Sequence, residues 1–382
     1  MKTLLQLWGI PTENTDWDAL VRKIERIRQQ SPATIAVMGI EAPTDVAASL
    51  IDLFHRDGTE VYMWVPTFSE LDDVYPFHPL IDANGKAYLE TGKIDTFHFR
   101  CPGCDDNGAA MEPVWTRLLD GQAYDGLFFD RIRYPSFQFG LSGVLSCFCP
   151  ECVKKYKAMG LDPDRLKKAA LDFASGNDRG RSPFFLQYDE GKWQVGDEGI
   201  QQLLDARCRI VTGAVSRAAA FARKSGLKVG LDLFSPALGY FAGQSCRDLL
   251  PLADFVKPMM YFRTDAPAGL PYEMDVLRGA VGDQLYAEFA ALCGAKTVND
   301  LVRGDVEVMR NIREKYAPSV PVYYGMEYNF VPGLAEITPD TLRQDIPVLK
   351  SLNVDGIAGC WSLDEAPVEN ADAFIRGVTG KT

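Results

Sequence analysis

Short apolar runs recur along this chain, and each is followed by a stretch in which apolar residues have helical spacing. The eight runs lie at residues 4–10, 34–40, 60–66, 126–132, 228–234, 255–262, 320–328 and 354–362. Hardly any of them alternates apolar and polar residues, which is typical of strands covered on both faces, as in a parallel sheet wrapped by helices. Eight such units in 382 residues predict a single (β/α)₈ barrel, a TIM barrel, over residues 1–382.

Two intervals between these elements are longer than a barrel connection requires. Residues 67–108 follow the third run, and residues 136–200 follow the fourth and become polar and glycine-rich towards their end. A barrel of this kind tolerates insertions. We therefore expect long loops after strands 3 and 4, with the main insertion at about 136–200.

The composition excludes several classes of protein. Hydrophobic residues make up 47% and charged residues 24% of the chain, which is typical of a globular protein. The formal net charge of −12 provides no attraction for nucleic acid or anionic lipid. No apolar run approaches the roughly 18 residues of a membrane span, and the first residues, MKTLLQLWG, lack a secretory cleavage signature. We expect a cytoplasmic protein that binds neither nucleic acid nor membrane.

The carboxyl ends of the strands carry the chemistry in barrels of this kind, so the residues at those ends belong together. Carboxylates and aromatic residues dominate there. The set is Trp8, Glu41, Trp64, Asp130, Arg131, Asp232, Lys257, Tyr261, Glu327, Trp361, Asp364 and Glu365. Aromatic faces stack on the C–H surfaces of sugars, and two carboxyl groups can cleave an acetal. The set therefore predicts hydrolysis of a glycosidic bond in a carbohydrate.

Asp130 is the first candidate catalytic residue. It ends a wholly apolar strand in the string DGLFFDRIRYP (125–135). The neighbouring Arg131 and Arg133 would keep its carboxylate ionised, which suits a nucleophile or a charge stabiliser better than a proton donor. The alternative is a structural carboxylate paired with one of these arginines.

The second carboxyl group has two candidates. Glu327 ends the seventh run between aromatic residues, where desolvation would raise its pKa towards that of a proton donor, and it is the preferred partner. It could instead be the nucleophile, or bind sugar hydroxyls or a loop amide. Asp232, on the strand next to that of Asp130, is the reserve. The residues expected to line the sugar subsites are Trp64, Arg131, Lys257, Tyr261, Trp361 and Asp364.

Two other functions remain open at this point. A non-catalytic carbohydrate-binding barrel would use the same aromatic residues, and a lyase or isomerase would use Lys257 as a Schiff-base amine. The chain has only three histidines and no HxH or HExxH pattern, which disfavours a catalytic metal. It also lacks GxGxxG and GxxxxGK[ST], so we expect no organic cofactor.

Cysteines crowd into two short motifs. Of the nine cysteines, Cys101 and Cys104 lie in CPGC, and Cys147, Cys149 and Cys152 lie in CFCPEC. In a cytosolic chain such spacing favours a thiolate metal site over disulfides. Three ligands from the second motif and one from the first, with Cys104 preferred over Cys101, would complete a closed and therefore structural Zn²⁺ site. Reduced cysteines without metal and an iron–sulfur cluster are the alternatives.

Two resemblances to known families follow from these strings. DGLFFDRIRYP and residues 228–262 resemble glycoside-hydrolase-like barrels, mostly uncharacterised, whose fourth strand reads DG-apolar-apolar-apolar-D-x-x-R-Y-P and whose sixth ends in PM plus an aromatic residue. This resemblance implies a retaining or hydrolase-like sugar site that uses Asp130. The cysteine motifs are similar to those of the family 42 β-galactosidases, which implies zinc at Cys104, Cys147, Cys149 and Cys152. Those enzymes have Asn-Glu where this chain has Asp130-Arg131, so the resemblance does not extend to β-galactosidase activity.

Overall fold

A computed structural model describes residues 1–13, 15–69, 71, 74–88, 98–176 and 183–380. Within these ranges the main sheet has eight strands, all parallel. They are β1 (Lys2–Gln6), β2 (Ile35–Met38), β3 (Glu60–Pro66), β4 (Gly126–Asp130), β5 (Lys228–Leu233), β6 (Phe255–Pro258), β7 (Tyr323–Glu327) and β8 (Gly356–Cys360).

The sheet is nearly closed into a barrel. Its strands neighbour one another in the order β6-β5-β4-β3-β2-β1-β8-β7. Parallel bridges between Val256 and Val322 and between Met259 and Gly325 join the remaining edges, β6 and β7. The prediction of a (β/α)₈ barrel is confirmed.

Helices surround the barrel and fill the longer loops. The described α-helices are α1 (Trp17–Gln30), α2 (Thr44–His55), α3 (Asp105–Leu119), α4 (Gly140–Val144), α5 (Pro150–Ala158), α6 (Pro163–Ser175), α7 (Glu198–Lys224), α8 (Pro236–Gly239), α9 (Cys246–Leu249), α10 (Leu270–Val281), α11 (Asp283–Cys293), α12 (Val298–Tyr316), α13 (Pro339–Ser351) and α14 (Val368–Thr379). Single 3₁₀ turns lie at Phe137–Phe139, Tyr240–Ala242 and Leu250–Leu252. In the described part of the chain, no helix is long and apolar enough to cross a membrane.

Both long loops lie where the sequence places them, after β3 and β4. The first contains a hairpin of Leu80–Ile81 and Ala87–Tyr88. The second contains α4, α5, α6 and a hairpin of Phe185–Asp189 and Lys192–Val195. This second loop ends at Asp197, which caps α7 by accepting a hydrogen bond of 2.8 Å from the amide of Ile200. A third hairpin, Phe330–Val331 with Ala335–Glu336, follows β7.

Aromatic side chains fill the centre of the barrel. Phe255 contacts Tyr62 edge to face at 4.8 Å, Tyr323 edge to face at 5.8 Å and Phe128 in a stack at 5.5 Å between ring centroids. Gly230 makes room for them, because a Cβ there would lie 2.4 Å from Phe255 and 2.8 Å from Phe128. The interior is thus a packed core, as in other barrels of this kind, and a site has to lie at the ends of the strands.

Candidate active site and cysteine cluster

The strand register aligns three ionisable residues in a row. Phe129 of β4 pairs with Leu231 of β5, so Asp130 and Asp232, which follow them, lie side by side. Asp232 in turn pairs with Lys257 of β6. Residues in register on neighbouring parallel strands point to the same face and lie about 4.8 Å apart along the sheet. The three side chains therefore share one level at the carboxyl end of the barrel.

Asp130 is held by donors on both carboxylate oxygens. The indole N–H of Trp64, on the adjacent β3, donates to Oδ2 at 2.9 Å. The amide of Arg131 donates to Oδ1 at 2.5 Å, and the Arg131 Nε lies 3.8 Å from Oδ2. The side chain is 14% exposed. The carboxylate is therefore oriented by its neighbours while it remains accessible from the mouth of the barrel.

The backbone is strained at two of the strand ends. Arg131 after β4 has φ 56° and Glu41 after β2 has φ 62°, both in the left-handed region that favours glycine. Such conformations cost on the order of 1–3 kcal/mol each and cluster at functional sites. At Arg131 the turn directs the backbone N–H back to the Asp130 carboxylate.

Asp232 and Lys257 form a buried ion pair beside Asp130. Their side chains are 2% and 0% exposed, and Nζ lies 2.8 Å from Oδ2. The ammonium also donates to Gln6 Oε1 at 2.8 Å and to the hydroxyl of Tyr261 at 3.0 Å. In the described part of the chain, Oδ1 of Asp232 has no hydrogen-bond partner. This oxygen is buried as well.

Burial and neighbouring charges shift the pKa values of both Asp232 and Lys257. Burial raises the pKa of Asp232 to about 8; the positive charge of Lys257 opposes this rise and the negative charge of Asp130 adds to it. Burial acts to lower the pKa of Lys257, but the negative charges around it, Asp232 first among them, outweigh burial, and the pKa is raised. Lys257 therefore stays an ammonium, and Asp232 can hold a proton near neutral pH.

Glu327, the partner preferred for Asp130 on sequence grounds, uses its carboxylate to bind the loop after β6. Oε1 accepts hydrogen bonds from the amides of Arg263 and Thr264 at 2.8 and 2.9 Å and from the Thr264 hydroxyl at 2.8 Å. Oε2 accepts one from the amide of Phe262 at 3.0 Å. Burial raises the pKa of Glu327, and these donors oppose the rise. The geometry is that of a loop anchor.

The other predicted subsite residues differ in their burial and contacts. Lys257 and Tyr261 are buried. Trp361, just after β8, is half-buried, and its amide donates to Asn329 Oδ1 at 3.3 Å. Asp364 accepts hydrogen bonds from Ser362 and Glu365 and so stabilises its own turn. Trp64 and Arg131 are the two of this set that contact Asp130.

Two residues that position the site were not singled out from the sequence. Gln6, at the end of β1, contacts Lys257. The apolar run at 4–10 continues past Gln6, so the sequence indicated Trp8 as the strand-end residue instead. Asp305 in α12 accepts hydrogen bonds from Ser235, just after β5, and from Tyr188 in the β4 loop. Asp305 lies in a stretch with helical spacing, and nothing in the sequence there indicates a functional residue.

Four buried cysteines from the two motifs converge on one point. The Cys101 sulfur lies 3.7 Å from that of Cys147, 3.7 Å from that of Cys149 and 3.3 Å from that of Cys152. Four thiolates around a zinc ion, with bonds of about 2.3 Å, place sulfurs roughly 3.8 Å apart. These residues could hold a metal ion. The ligand preferred from the sequence, Cys104, is wrong, because Cys101 completes the group.

The chain between the two cysteines explains this correction. A Cβ on Gly103 would lie 2.5 Å from the Cys152 sulfur, so the backbone packs directly against the cluster there. The chain then turns outward, and Cys104 becomes the N-cap of α3, grouped instead with His78 and Asp106. Sequence spacing does not distinguish the two cysteines, since either one could reach the cluster.

Backbone donors surround the cysteine sulfurs. The amides of Ile81 and Cys149 donate to the Cys147 sulfur at 3.2 and 3.4 Å, and the amide of Cys152 donates to the Cys149 sulfur at 3.4 Å.

A buried cation lies close to the same cluster. Arg207 of α7 is fully buried, and its guanidinium stacks 4.5 Å from the ring of Tyr134, whose hydroxyl lies 3.7 Å from the Cys152 sulfur. Its Nη1 donates to the carbonyl of Phe241, but among the described residues its Nε and Nη2 have no hydrogen-bond partner. An unpaired buried cation is costly unless negative charge lies nearby. The residues thus fit a metal ion held by four thiolates, whose net charge is negative.

The chain is similar to known proteins in its fold. No family profile matches the chain, and no curated protein does. The glycoside hydrolase domain of PgaB (BpsB) from Bordetella bronchiseptica is similar over 100% of both chains, with a TM-score of 0.64 at 14% identity. At this identity the similarity shows a shared barrel fold.

Two larger enzymes share this barrel fold. The β-galactosidase from the psychrophilic Marinomonas ef1 has a TM-score of 0.56 at 12% identity, over 98% of this chain and 58% of that one. The α-L-fucosidase isoenzyme 2 from Paenibacillus thiaminolyticus has a TM-score of 0.55 at 11% identity, over 100% of this chain and 49% of that one. The chain thus spans about half of each of these enzymes, and at such identities the likeness concerns the fold alone.

The anchoring role of Glu327 in this barrel predicts a loss of stability on substitution. Glu327→Gln replaces with an amide a carboxylate that accepts four hydrogen bonds. We expect this substitution to lower the free energy of unfolding, measured by urea denaturation, by about 1–3 kcal/mol. The exposed Glu307 of α12 is the control, and Glu307→Gln should unfold like the wild type. Equal stability of both variants would contradict the anchoring role.

Proposed function

We propose that this protein hydrolyses a glycosidic bond of a carbohydrate and that Asp130 and Asp232 are its two carboxyl groups. The observation that carries the proposal is the placement of two carboxyl groups side by side in different environments, one part-exposed and held by donors, the other buried with a raised pKa. A pair of titratable groups whose environments differ in this way is typical of acid and base assignments in catalysis. The glycoside hydrolase fold supports the reaction class.

Asp130 acts as the nucleophile in this proposal. The Trp64 indole and the Arg131 amide orient its carboxylate, so that one oxygen can attack the anomeric carbon. The carbon–oxygen bond to the leaving group breaks, and a covalent glycosyl ester forms on Asp130. Water then hydrolyses this ester and regenerates the carboxylate.

Asp232 acts as the proton donor. Its Oδ2 is occupied by the Lys257 ammonium, so the proton resides on Oδ1, which has no partner among the described residues. It passes to the leaving oxygen in the first step, and Asp232 takes a proton from the attacking water in the second. Asp130 and Asp232 lie on adjacent strands, and the proposal assigns them a retaining mechanism, in which the two carboxyl groups are roughly 5–5.5 Å apart.

The remaining candidates take supporting roles in the proposal. Lys257, which is itself held by Gln6 and Tyr261, fixes the side chain of Asp232. Trp361 and Asp364 lie on the loop after β8, and in the proposal Trp361 stacks against a sugar ring. A Schiff-base reaction would need a neutral amine at Lys257, and the buried ion pair with its raised pKa disfavours that alternative.

Removal of either carboxylate should abolish turnover. Asp130→Asn and Asp232→Asn are each expected to lower kcat/KM by about 10²–10⁴-fold on whichever aryl glycoside the wild type cleaves in a panel, since one loses the nucleophile and the other the acid. Sugar affinity, measured by calorimetry, should change little. Asp57→Asn is the control, because Asp57 pairs with Arg28 on the outer helical layer. Turnover unchanged in both site variants would contradict the mechanism, and wild-type binding without turnover would favour the non-catalytic barrel.

The pH dependence of activity follows from the raised pKa of Asp232. A general acid has to be protonated, so kcat/KM should fall as the pH rises through about 8, the pKa to which burial raises this carboxyl. A pH profile of kcat/KM from 5 to about 10 checks this, with residual activity of Asp232→Asn expected to lose the alkaline limb. A profile still rising above pH 9 would assign the proton donor to another group.

The cysteine cluster is proposed to hold a structural zinc ion. Its ligands would be Cys101 from the loop after β3 and Cys147, Cys149 and Cys152 from the loop after β4. When bound, the ion supplies a cross-link between these two loops. A closed set of four thiolates leaves no coordination position for substrate, so its role is structural.

Zinc content after chelator dialysis tests this ligand set. The wild type and Cys104→Ser should each retain one equivalent of zinc, measured by atomic emission, because a buried four-thiolate site exchanges slowly with a mild chelator. Cys101→Ser should retain none. Retention in Cys101→Ser with loss in Cys104→Ser would contradict the assignment.

A further inference from the structure

We propose that His78, Cys104 and Asp106 form a second metal site, separate from the four-cysteine cluster, for a borderline divalent ion such as Zn²⁺ or Co²⁺. One ligand atom from each of the three residues lies within 4.8 Å of the other two. Nε2 of His78 is 3.8 Å from Oδ2 of Asp106. Tetrahedral zinc with bonds of about 2.0–2.3 Å has ligand atoms roughly 3.3–3.8 Å apart, so small side-chain movements complete the geometry.

The backbone of this site is rigidly held. His78 is clamped by the fully buried Asn107, whose Nδ2 donates to the His78 carbonyl at 2.8 Å and whose Oδ1 accepts from the His78 amide at 2.8 Å. The amide of Cys101 donates to the same carbonyl at 2.9 Å. Cys104 is buried at the start of α3. The imidazole and the thiol therefore extend from fixed positions.

The exposed ligands can adapt to an ion. The side chains of His78 and Asp106 are 48% and 74% exposed, so both can turn towards the sulfur of Cys104. The neighbouring Asp105 is already engaged by Lys155 at 3.0 Å and Arg217 at 2.8 Å, which leaves Asp106 as the carboxylate beside His78.

The donor set selects the class of ion. A thiolate, a carboxylate and a neutral imidazole balance the charge of a divalent cation, and water fills the fourth position. A thiolate ligand disfavours Mg²⁺ and Ca²⁺, which prefer oxygen, and favours zinc and its neighbours in the first transition row. The CPGC motif would then serve two sites, with Cys101 turned inward and Cys104 outward.

Cobalt titration tests the site without reference to catalysis. The full-length protein, dialysed against a mild chelator and then freed of it, is titrated with Co²⁺ alone at pH 7.5. One equivalent should bind with thiolate-to-cobalt absorption in the near ultraviolet and visible bands of a tetrahedral-like ion. His78→Gln and Cys104→Ser should weaken binding by more than about tenfold, since removing even an outer partner of a ligand costs 10–100-fold.

His55→Gln provides a matched control. His55 is also part-exposed and lies 2.9 Å from a carboxylate, that of Asp125, but no thiol belongs to that pair. This variant should bind cobalt as the wild type does. Absence of the cobalt–thiolate band from the wild type would overturn the proposal. So would a band that persists in both His78→Gln and Cys104→Ser, or one that appears only as zinc is released from the four-cysteine cluster. Circular dichroism verifies that each variant is folded.

Discussion

The buried contact between Lys257 and Asp232 underlies the account of this site. Burying a carboxyl group that is only 2% exposed is costly without partners, and the ammonium of Lys257 at 2.8 Å provides one. The same ammonium is tied to Gln6 and Tyr261, so strands β1, β5 and the end of β6 meet around one charge. Asp130 is next in the row, and its negative charge adds to the effect of burial, which raises the pKa of Asp232.

The loops around the barrel mouth are held by buried carboxylates and thiols rather than by apolar packing alone. Glu327 anchors the loop after β6, and Asp305 joins the loop after β5 to the hairpin in the β4 loop. Glu273 links Ser136, in the β4 loop, to the amide of Ala268, in the β6 loop. The cysteine cluster does the same for the loops after β3 and β4. Specific polar contacts therefore join the long loops at the carboxyl end of the barrel to one another.

The sequence predicted the barrel because its strands are continuous apolar runs, and it predicted Asp130, Asp232 and Lys257 as strand-end residues for the same reason. It did not predict which carboxylates face one another, because that depends on register and on the hydrogen bonds of the side chains. Glu327 lies in an aromatic run that suggests a desolvated proton donor, yet the backbone amides that engage it belong to a loop whose path leaves no trace in the sequence pattern. The sequence also could not show that Cys101, rather than Cys104, joins the cluster, because this depends on the close approach of Gly103 to the cluster.

The most direct measurement of the central claim is to label the nucleophile. A 2-deoxy-2-fluoro derivative of the cleaved aryl glycoside should inactivate the protein and leave one covalent sugar, because the fluorine slows hydrolysis of the glycosyl ester more than its formation. The account predicts that peptide mass spectrometry finds this sugar on Asp130. A label on Glu327, or continued turnover with no labelled peptide, would contradict it.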